Sequence, residues 1–205
     1  FVLSNNVLER SGAQGLRLTN VDGQGALPPS QALVIGPSAL AGISGNATSI
    51  LLETTTRDVT VTDLALDGSV AGVSASTTDD VRLKFRNLDL SPVRPGGTGL
   101  VLRGHDHRVE GIVAQRRATG LDVRNADRPT LADVSIQGAH GTGIYFDLIT
   151  MPSLRDIAVD DSLVGVHLYR SNGTAAQPIV LDRWNAVAGT GAFASLARNA
   201  TTFTC

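Results

Sequence analysis

Three consecutive stretches decide the fold: VEGIVAQRRATGLDV (109–123), LADVSIQGAHGTGIYF (131–146) and LRDIAVDDSLVGVHL (154–168). Each begins with an apolar residue, skips two positions, and continues with two apolar residues separated by one position. Each then reaches a glycine that is followed by an apolar residue, a skipped position and another apolar residue. Alternation of this kind has the period of a β-strand. The three stretches are therefore copies of one unit made of short strands.

The same unit recurs over most of the chain. The repeat glycines are Gly15, Gly72, Gly99, Gly120, Gly143, Gly165 and Gly191. From Gly72 onward, consecutive repeat glycines are separated by roughly two dozen residues. The segments between them start at Val61, Phe85, Val109, Leu131, Leu154 and Leu181. No segment carries an apolar stripe of helical period, so helices do not connect the strands. Units of this length bury their apolar faces only by stacking on one another, which predicts a solenoid.

The predicted fold is all-β: a single-stranded, right-handed parallel β-helix of about eight coils. It forms one domain over 1–205, with less regular first coils in 1–57 and regular coils in 58–198. Ile50–Leu52 is expected to be the third strand of one further coil, and Leu27–Ser30 a loop that leaves the coil. Two columns of side chains should point into the core: Leu64, Leu88, Ile112, Val134, Ile157 and Leu100, Leu121, Ile144, Val166. The uncapped ends are expected to continue into, or be covered by, other sequence.

A polar residue stands immediately before several members of the first apolar column, at Asp63, Asn87, Asp133 and Asp156. Asp and Asn suit a tight bend there, because their side chains bond the nearby backbone. This column resembles the polar ladders of the pectate-lyase-like β-helix superfamily, and the resemblance covers 58–198. It implies a secreted or surface-exposed protein that acts on or adheres to a polysaccharide. The catalytic motifs of the hydrolases, epimerases and calcium-dependent lyases on this fold are not reproduced.

Composition excludes several other classes of protein. The formal net charge of -2 offers no clustered cations for nucleic acid. No apolar run approaches the roughly 20 residues that span a bilayer, so membrane insertion is not expected. Cys205 is the single cysteine, which excludes a disulfide framework and a cysteine-based zinc site. No cofactor is predicted.

Outward positions that follow the repeat glycines supply the candidate site. The predicted catalytic residues are Tyr145, His167, Asp122 and Asp147, and the predicted substrate-binding residues are Arg103, Arg124, Tyr169 and Arg170. Aromatic faces pack on sugar rings, Arg forks hold carboxylates, and Tyr, His or carboxylate groups transfer protons. This mixture is typical of a groove for an anionic or neutral polysaccharide. The alternative interpretation is a solvated sheet face in which Arg103 and Arg124 neutralise Asp122 and Asp147.

Two further clusters are weaker candidates. His105 and His107 flank Asp106, and strand alternation predicts both imidazoles on one side, where they could bind a metal or act as acid and base. The alternative is a plain polar turn. Asp160 and Asp161 could form the carboxylate pair of a glycoside hydrolase, or could simply be solvated acids in a bend.

Three functions follow from these patterns. The first is an extracellular β-helix that binds, and in its catalytic version cleaves or epimerises, a polysaccharide. The second is a structural or adhesive shaft module, such as a phage tailspike, a fibre or a cell-surface filament, and such shafts are commonly homotrimers or parts of larger assemblies. The third is a metal-dependent lyase that uses His105 and His107.

Overall fold

The computed structural model describes residues 6–23, 33–37, 40–171, 179–196 and 203–204. In this part of the chain the backbone forms a parallel β-solenoid of about six turns without a helix, close to the about eight coils predicted from the repeats. The predicted loop at Leu27–Ser30 and the residue Cys205 lie outside the described residues.

The strands are β1 (Asn6–Glu9), β2 (Gln14–Thr19), β3 (Val34–Ile35), β4 (Leu40–Ser44), β5 (Thr48–Glu53), β6 (Thr60–Ala65), β7 (Ala71–Ala75), β8 (Lys84–Asp89), β9 (Thr98–His105), β10 (Arg108–Gln115), β11 (Thr119–Asp127), β12 (Thr130–Gln137), β13 (Thr142–Asp147), β14 (Ser153–Tyr169), β15 (Ile179–Leu196) and β16 (Phe203–Thr204). Parallel pairs of most of these strands form two walls of the solenoid, and β1 pairs with β4 in a separate two-stranded sheet. The glycine wall contains β2, β5, β7, β9, β11, β13 and the C-terminal part of β14. The second wall contains β3, β6, β8, β10, β12 and the N-terminal part of β14.

The bends between strands lie where the polar residues predict them. Asp63, Asn87, Asp133 and Asp156 have φ values of 57°, 49°, 51° and 53°, and Gly111 occupies the same column at 65°. Asn and Asp adopt this left-handed conformation more readily than other residues with a side chain, and Gly adopts it without a steric penalty. The Asn87 Nδ2 atom also donates to Oδ1 of Asp63 on the preceding coil, at 2.9 Å. The ladder of polar bends is therefore confirmed.

The core is the stack of apolar side chains that the repeats predict. Every residue of the two predicted inward columns is buried, the most exposed being Leu64 at 8%. The columns are in register, since Ile112 pairs with Leu88 and Val134, and Leu121 pairs with Leu100 and Ile144. Stacking of like side chains on neighbouring strands therefore forms one continuous core.

The position of Ile50–Leu52 differs from the prediction. The residues lie in β5, where Ile50 pairs with Leu16 on one side and with Val73 on the other. The segment therefore belongs to the glycine wall and is not the third strand of a coil. Its repeat glycine is replaced by Ser49, which removed the pattern that marks this wall elsewhere.

A fully buried arginine connects three coils. The Arg117 side chain donates from Nε to the carbonyl of Leu90 at 2.5 Å, from Nη1 to Gly68 at 2.5 Å and from Nη2 to Leu66 at 3.2 Å. Burial lowers the pKa of the guanidinium to about 10, partly opposed by the charges of Asp67 and Asp89, so it remains charged at neutral pH. A buried cation is tolerated here because backbone carbonyl oxygens replace its water.

Candidate functional site

Parallel register brings most of the predicted site residues together. Asp122 lies directly beside Tyr145, and Tyr145 beside His167, on three successive strands of the glycine wall. The Tyr145 and His167 rings meet edge to face, with centroids 4.9 Å apart and planes inclined by 63°. We name the cluster formed by these side chains and their neighbours the aromatic face, and it consists of Asp122, Arg124, Tyr145, Asp147, His167, Tyr169 and Arg170.

Arg124 contacts both Asp122 and Tyr145 of the aromatic face. Its Nε atom donates to Oδ1 of Asp122 at 2.5 Å, and its Cζ atom lies 4.7 Å from the centre of the Tyr145 ring. The ion pair and the cation–π contact fix the guanidinium against the ring. One face of Tyr145 is therefore covered by a side chain of the protein itself.

A second arginine, Arg170, also combines an ion pair with a contact to a tyrosine ring, on the following coils. Arg170 donates from Nε and Nη2 to both oxygens of Asp147, at 2.9 and 2.7 Å, and its Cζ atom lies 4.6 Å from the Tyr169 ring centre. Asp147 is buried, with 6% of its surface exposed. In the alternative interpretation of a solvated sheet face, Arg103 and Arg124 neutralise Asp122 and Asp147. The structure instead pairs Asp147 with Arg170, which has a positive φ of 46° and immediately follows β14.

Arg103 is separate from this arrangement. Its Nη1 atom donates to the carbonyl of Ser76 at 3.2 Å, and its buried Nε atom has no hydrogen-bond partner among the residues that the structure describes. The register between β9 and β11 shifts after Val123, so Arg103 does not pair with Arg124. An irregularity in the pairing follows the regular part of the two strands, and the substrate-binding role of Arg103 stays a prediction.

The electrostatics of the aromatic face are balanced. Asp122 neutralises Arg124 and Asp147 neutralises Arg170, so these two ion pairs leave no excess positive charge among the four side chains. Burial, followed by the charge of Asp147, raises the pKa of the Tyr145 phenol above its ordinary value of 10.0. A tyrosine that acts as a general base needs the opposite shift. The arrangement offers aromatic edges and hydrogen-bonding groups held in fixed positions.

The imidazoles of His105 and His107 do not lie on the same side of the chain, so this prediction is wrong. His105 is exposed, with 48% of its side-chain surface accessible, whereas His107 is buried at 1%. The His107 Nδ1 atom accepts from the amide of Leu83 at 3.1 Å, and its Nε2 atom lies 2.7 Å from the carbonyl of Arg103. Asp106, at a φ of 57°, breaks the strand alternation between the two imidazoles. Among the described residues, no three His, Cys, Asp or Glu side chains converge on one point.

Asp160 and Asp161 lie at the bend inside β14, and both are exposed. Asp160 is the last residue paired with β12, and Asp161 turns the chain at a φ of 50°. Their proposed catalytic role remains a prediction.

The burial of Arg117 is not predicted by the sequence, because a basic pair in a bend is typical of an exposed turn.

Comparison with known proteins adds no relative. No family model matches the chain, and no curated protein or solved structure matches it. The class that the structure defines is the parallel β-solenoid, and membership of the pectate-lyase-like superfamily stays a prediction. Over the described residues, no helix of sufficient length and hydrophobicity to cross a bilayer is present.

Proposed function

We propose that the protein is a secreted or surface-exposed β-solenoid that binds a polysaccharide along the aromatic face. The observation that carries the proposal is the alignment of Asp122, Tyr145 and His167 on three adjacent strands, with the two rings 4.9 Å apart. Neighbouring strands are about 4.8 Å apart, so the face presents a repeating row of groups along the solenoid axis. A polymer of sugars is a ligand that itself repeats along one direction.

The charge balance of the face supports a neutral glycan. An acidic sugar would bring further negative charge to a face where Arg124 and Arg170 are already neutralised by Asp122 and Asp147. A neutral sugar needs donors and acceptors for its hydroxyl groups and an apolar ring surface for its C–H groups. The Asp–Arg pairs supply the former, and the parts of the Tyr145 and Tyr169 rings that the two arginines do not cover supply the latter.

The same observations favour binding over turnover. The two carboxylates that would act as acid and base are each occupied by an arginine, and the Tyr145 pKa is raised. A catalytic carboxyl pair needs one protonated and one free carboxyl group. We therefore expect retention of the glycan without cleavage.

The test is affinity electrophoresis of the full chain through gels that contain neutral or acidic polysaccharides. We expect retardation by at least one neutral polymer, with loss of retardation in Tyr145→Ala and His167→Ala. Gln137→Ala, an exposed side chain on β12 of the other wall, is the matched control and should bind as the parent chain does. Retardation only by acidic polymers, or retardation that both ring variants retain, would overturn the proposal.

Enzyme activity is tested in the same panel by assays for new reducing ends and for unsaturated uronate. We expect neither product. Turnover that disappears in Asp147→Asn would replace the binding function with a catalytic one on the same face.

A structural shaft is the second candidate, and the corner between the two walls favours it. Asp58, Arg82, Asp106 and Arg128 occupy the same positive-φ position on successive coils. Arg82 donates to both oxygens of Asp58 at 2.8 and 2.7 Å, and Arg128 to both oxygens of Asp106 at 2.7 and 3.0 Å. Such a row of alternating charges links coils along the axis, although each exposed pair contributes only about 0.2–1 kcal/mol. A trimer by light scattering, together with no binding to any glycan, would favour this function.

A further inference from the structure

The strongest feature outside the aromatic face is a cleft at the bend between the second wall and the glycine wall. It has a volume of about 390 Å³ and is lined by Arg116, Gly138, His140, Asp161 and Ser162, among others. This volume lies within the range of roughly 300–1,000 Å³ that small-molecule sites occupy. Among its residues, only Asp161 is a candidate from the sequence, as one half of a hydrolase carboxylate pair.

The cleft exists because a glycine interrupts a column of side chains. Arg116, Gly138 and Asp161 follow the paired residues Gln115, Gln137 and Asp160, and have φ values of 54°, 62° and 50°. They therefore occupy one position on three successive coils. A Cβ atom added to Gly138 would meet nothing within 4 Å, so the space between the outer two residues is open.

The two rims of the cleft carry opposite charges that do not neutralise each other. Arg116 donates from Nη2 to the carbonyl of Pro92 at 3.2 Å, and within the described residues it forms no ion pair. In the same part of the chain, Asp161 and His140 have no side-chain hydrogen bond or ion pair. The backbones of Arg116 and Asp161 are two strand spacings apart, about 10 Å. At the corner between the two walls, by contrast, Arg82 contacts Asp58 and Arg128 contacts Asp106, because each pair lies on adjacent coils.

We propose that this cleft binds a small zwitterion whose carboxylate and ammonium groups lie at opposite ends of a short chain. The carboxylate would pair with the Arg116 guanidinium and the ammonium with the Asp161 carboxylate, while the His140 imidazole supplies a hydrogen bond between them. A ligand with a single charge is attracted to the residue of opposite charge on one rim and is repelled by the like charge on the other rim. A ligand with adjacent charges, such as glycine, reaches only one rim at a time.

The experiment uses a molecular ruler. The full chain is titrated, by amide chemical shifts in NMR, with glycine, β-alanine, γ-aminobutyrate, δ-aminovalerate and ε-aminocaproate, and with butylammonium and butyrate as single-charge controls. We expect affinity to rise with chain length and the best zwitterion to bind about tenfold more tightly than either single-charge ion, which corresponds to about 1.4 kcal/mol. The shifted amides should lie around Gly138. Equal affinity for zwitterions and single-charge ions, or no binding by any of them, would overturn the proposal.

Variants assign each end of the ligand. In Arg116→Gln the best zwitterion should bind no better than butylammonium, and in Asp161→Asn no better than butyrate. Gly138→Asn should abolish binding, since Asn tolerates the positive φ and fills the open space. Gly12→Asn is the matched control, because Gly12 has a φ of 79° and an equally open Cβ position far from the cleft. Binding that survives Gly138→Asn would overturn the assignment, and the two charge variants decide the question if that variant does not fold.

Discussion

The Arg117 Nη1 atom donates a hydrogen bond to the carbonyl oxygen of Gly68, which lies 49 residues earlier in the chain. Through its other nitrogens the same guanidinium reaches Leu90 and Leu66. Strand pairs connect a coil only to its two neighbours, whereas this side chain bonds directly to a coil that is not adjacent. The arginine thus ties together three turns at one bend of the solenoid.

We expect Arg117→Met to destabilise the protein by about 3 kcal/mol, because it leaves buried carbonyl oxygens without their donors. The free energy of unfolding in urea measures the change. Arg94→Met, at an exposed arginine, is the control and should lie within about 0.5 kcal/mol of the parent chain. A cost for Arg117→Met no larger than that of the control would show that the three hydrogen bonds contribute little.

The buried His107 predicts a pH dependence of stability. Burial lowers its pKa from 6.5 to about 4. Between these values the unfolded state binds a proton that the folded state does not, so stability falls as pH decreases through this window. The full effect, reached below pH 4, is about 3 kcal/mol.

The measurement compares the free energy of unfolding of the parent chain and His107→Gln between pH 7 and pH 5, above the range in which most carboxylates titrate. We expect the stability of the variant to depend less steeply on pH. Identical slopes for both proteins would mean that His107 takes up its proton equally in the folded and unfolded states.

The polar bends predict which side chains each column accepts. Asp133 is exposed and has a φ of 51°. Asp133→Asn should change stability little, whereas Asp133→Val should cost about 1–2 kcal/mol because a β-branched residue is strained in the left-handed region. Thermal unfolding of the variants measures this difference.

Ser135→Val is the matched control for that series, since Ser135 is an exposed position within the extended part of β12. Valine is favoured in strands, so no loss of stability is expected there. If both valine variants behaved alike, the cost at Asp133 could not be assigned to its backbone conformation.

Much of the fold follows from local patterns. The spacing of Ile112, Val134 and Ile157 predicts their shared column because strand side chains alternate and like residues stack in parallel register. The polar residue at Asp133 predicts a bend because its side chain tolerates a positive φ. The prediction failed at Ile50, where Ser49 replaces the repeat glycine and an apolar run fits either wall.

The candidate site was predicted less completely. Register alone places Tyr145 beside His167, because each residue stands two positions after its repeat glycine. The partner of Asp147 was not, because Arg170 lies beyond the strand and approaches through the bend. His107 was misplaced for a similar reason: positive φ at Asp106 ends the alternation from which its direction was inferred.

The sequence by itself determined the repeating strands, the two apolar columns and the positions of the bends, since each depends on the period of a strand or on the backbone preference of single residues. Tertiary structure decided which charges meet. The side chains of Arg117 and Arg170 extend from bends, where small backbone rotations direct them toward the core or the aromatic face. Those directions are set by space and partners on neighbouring coils, and sequence spacing contains no information about either.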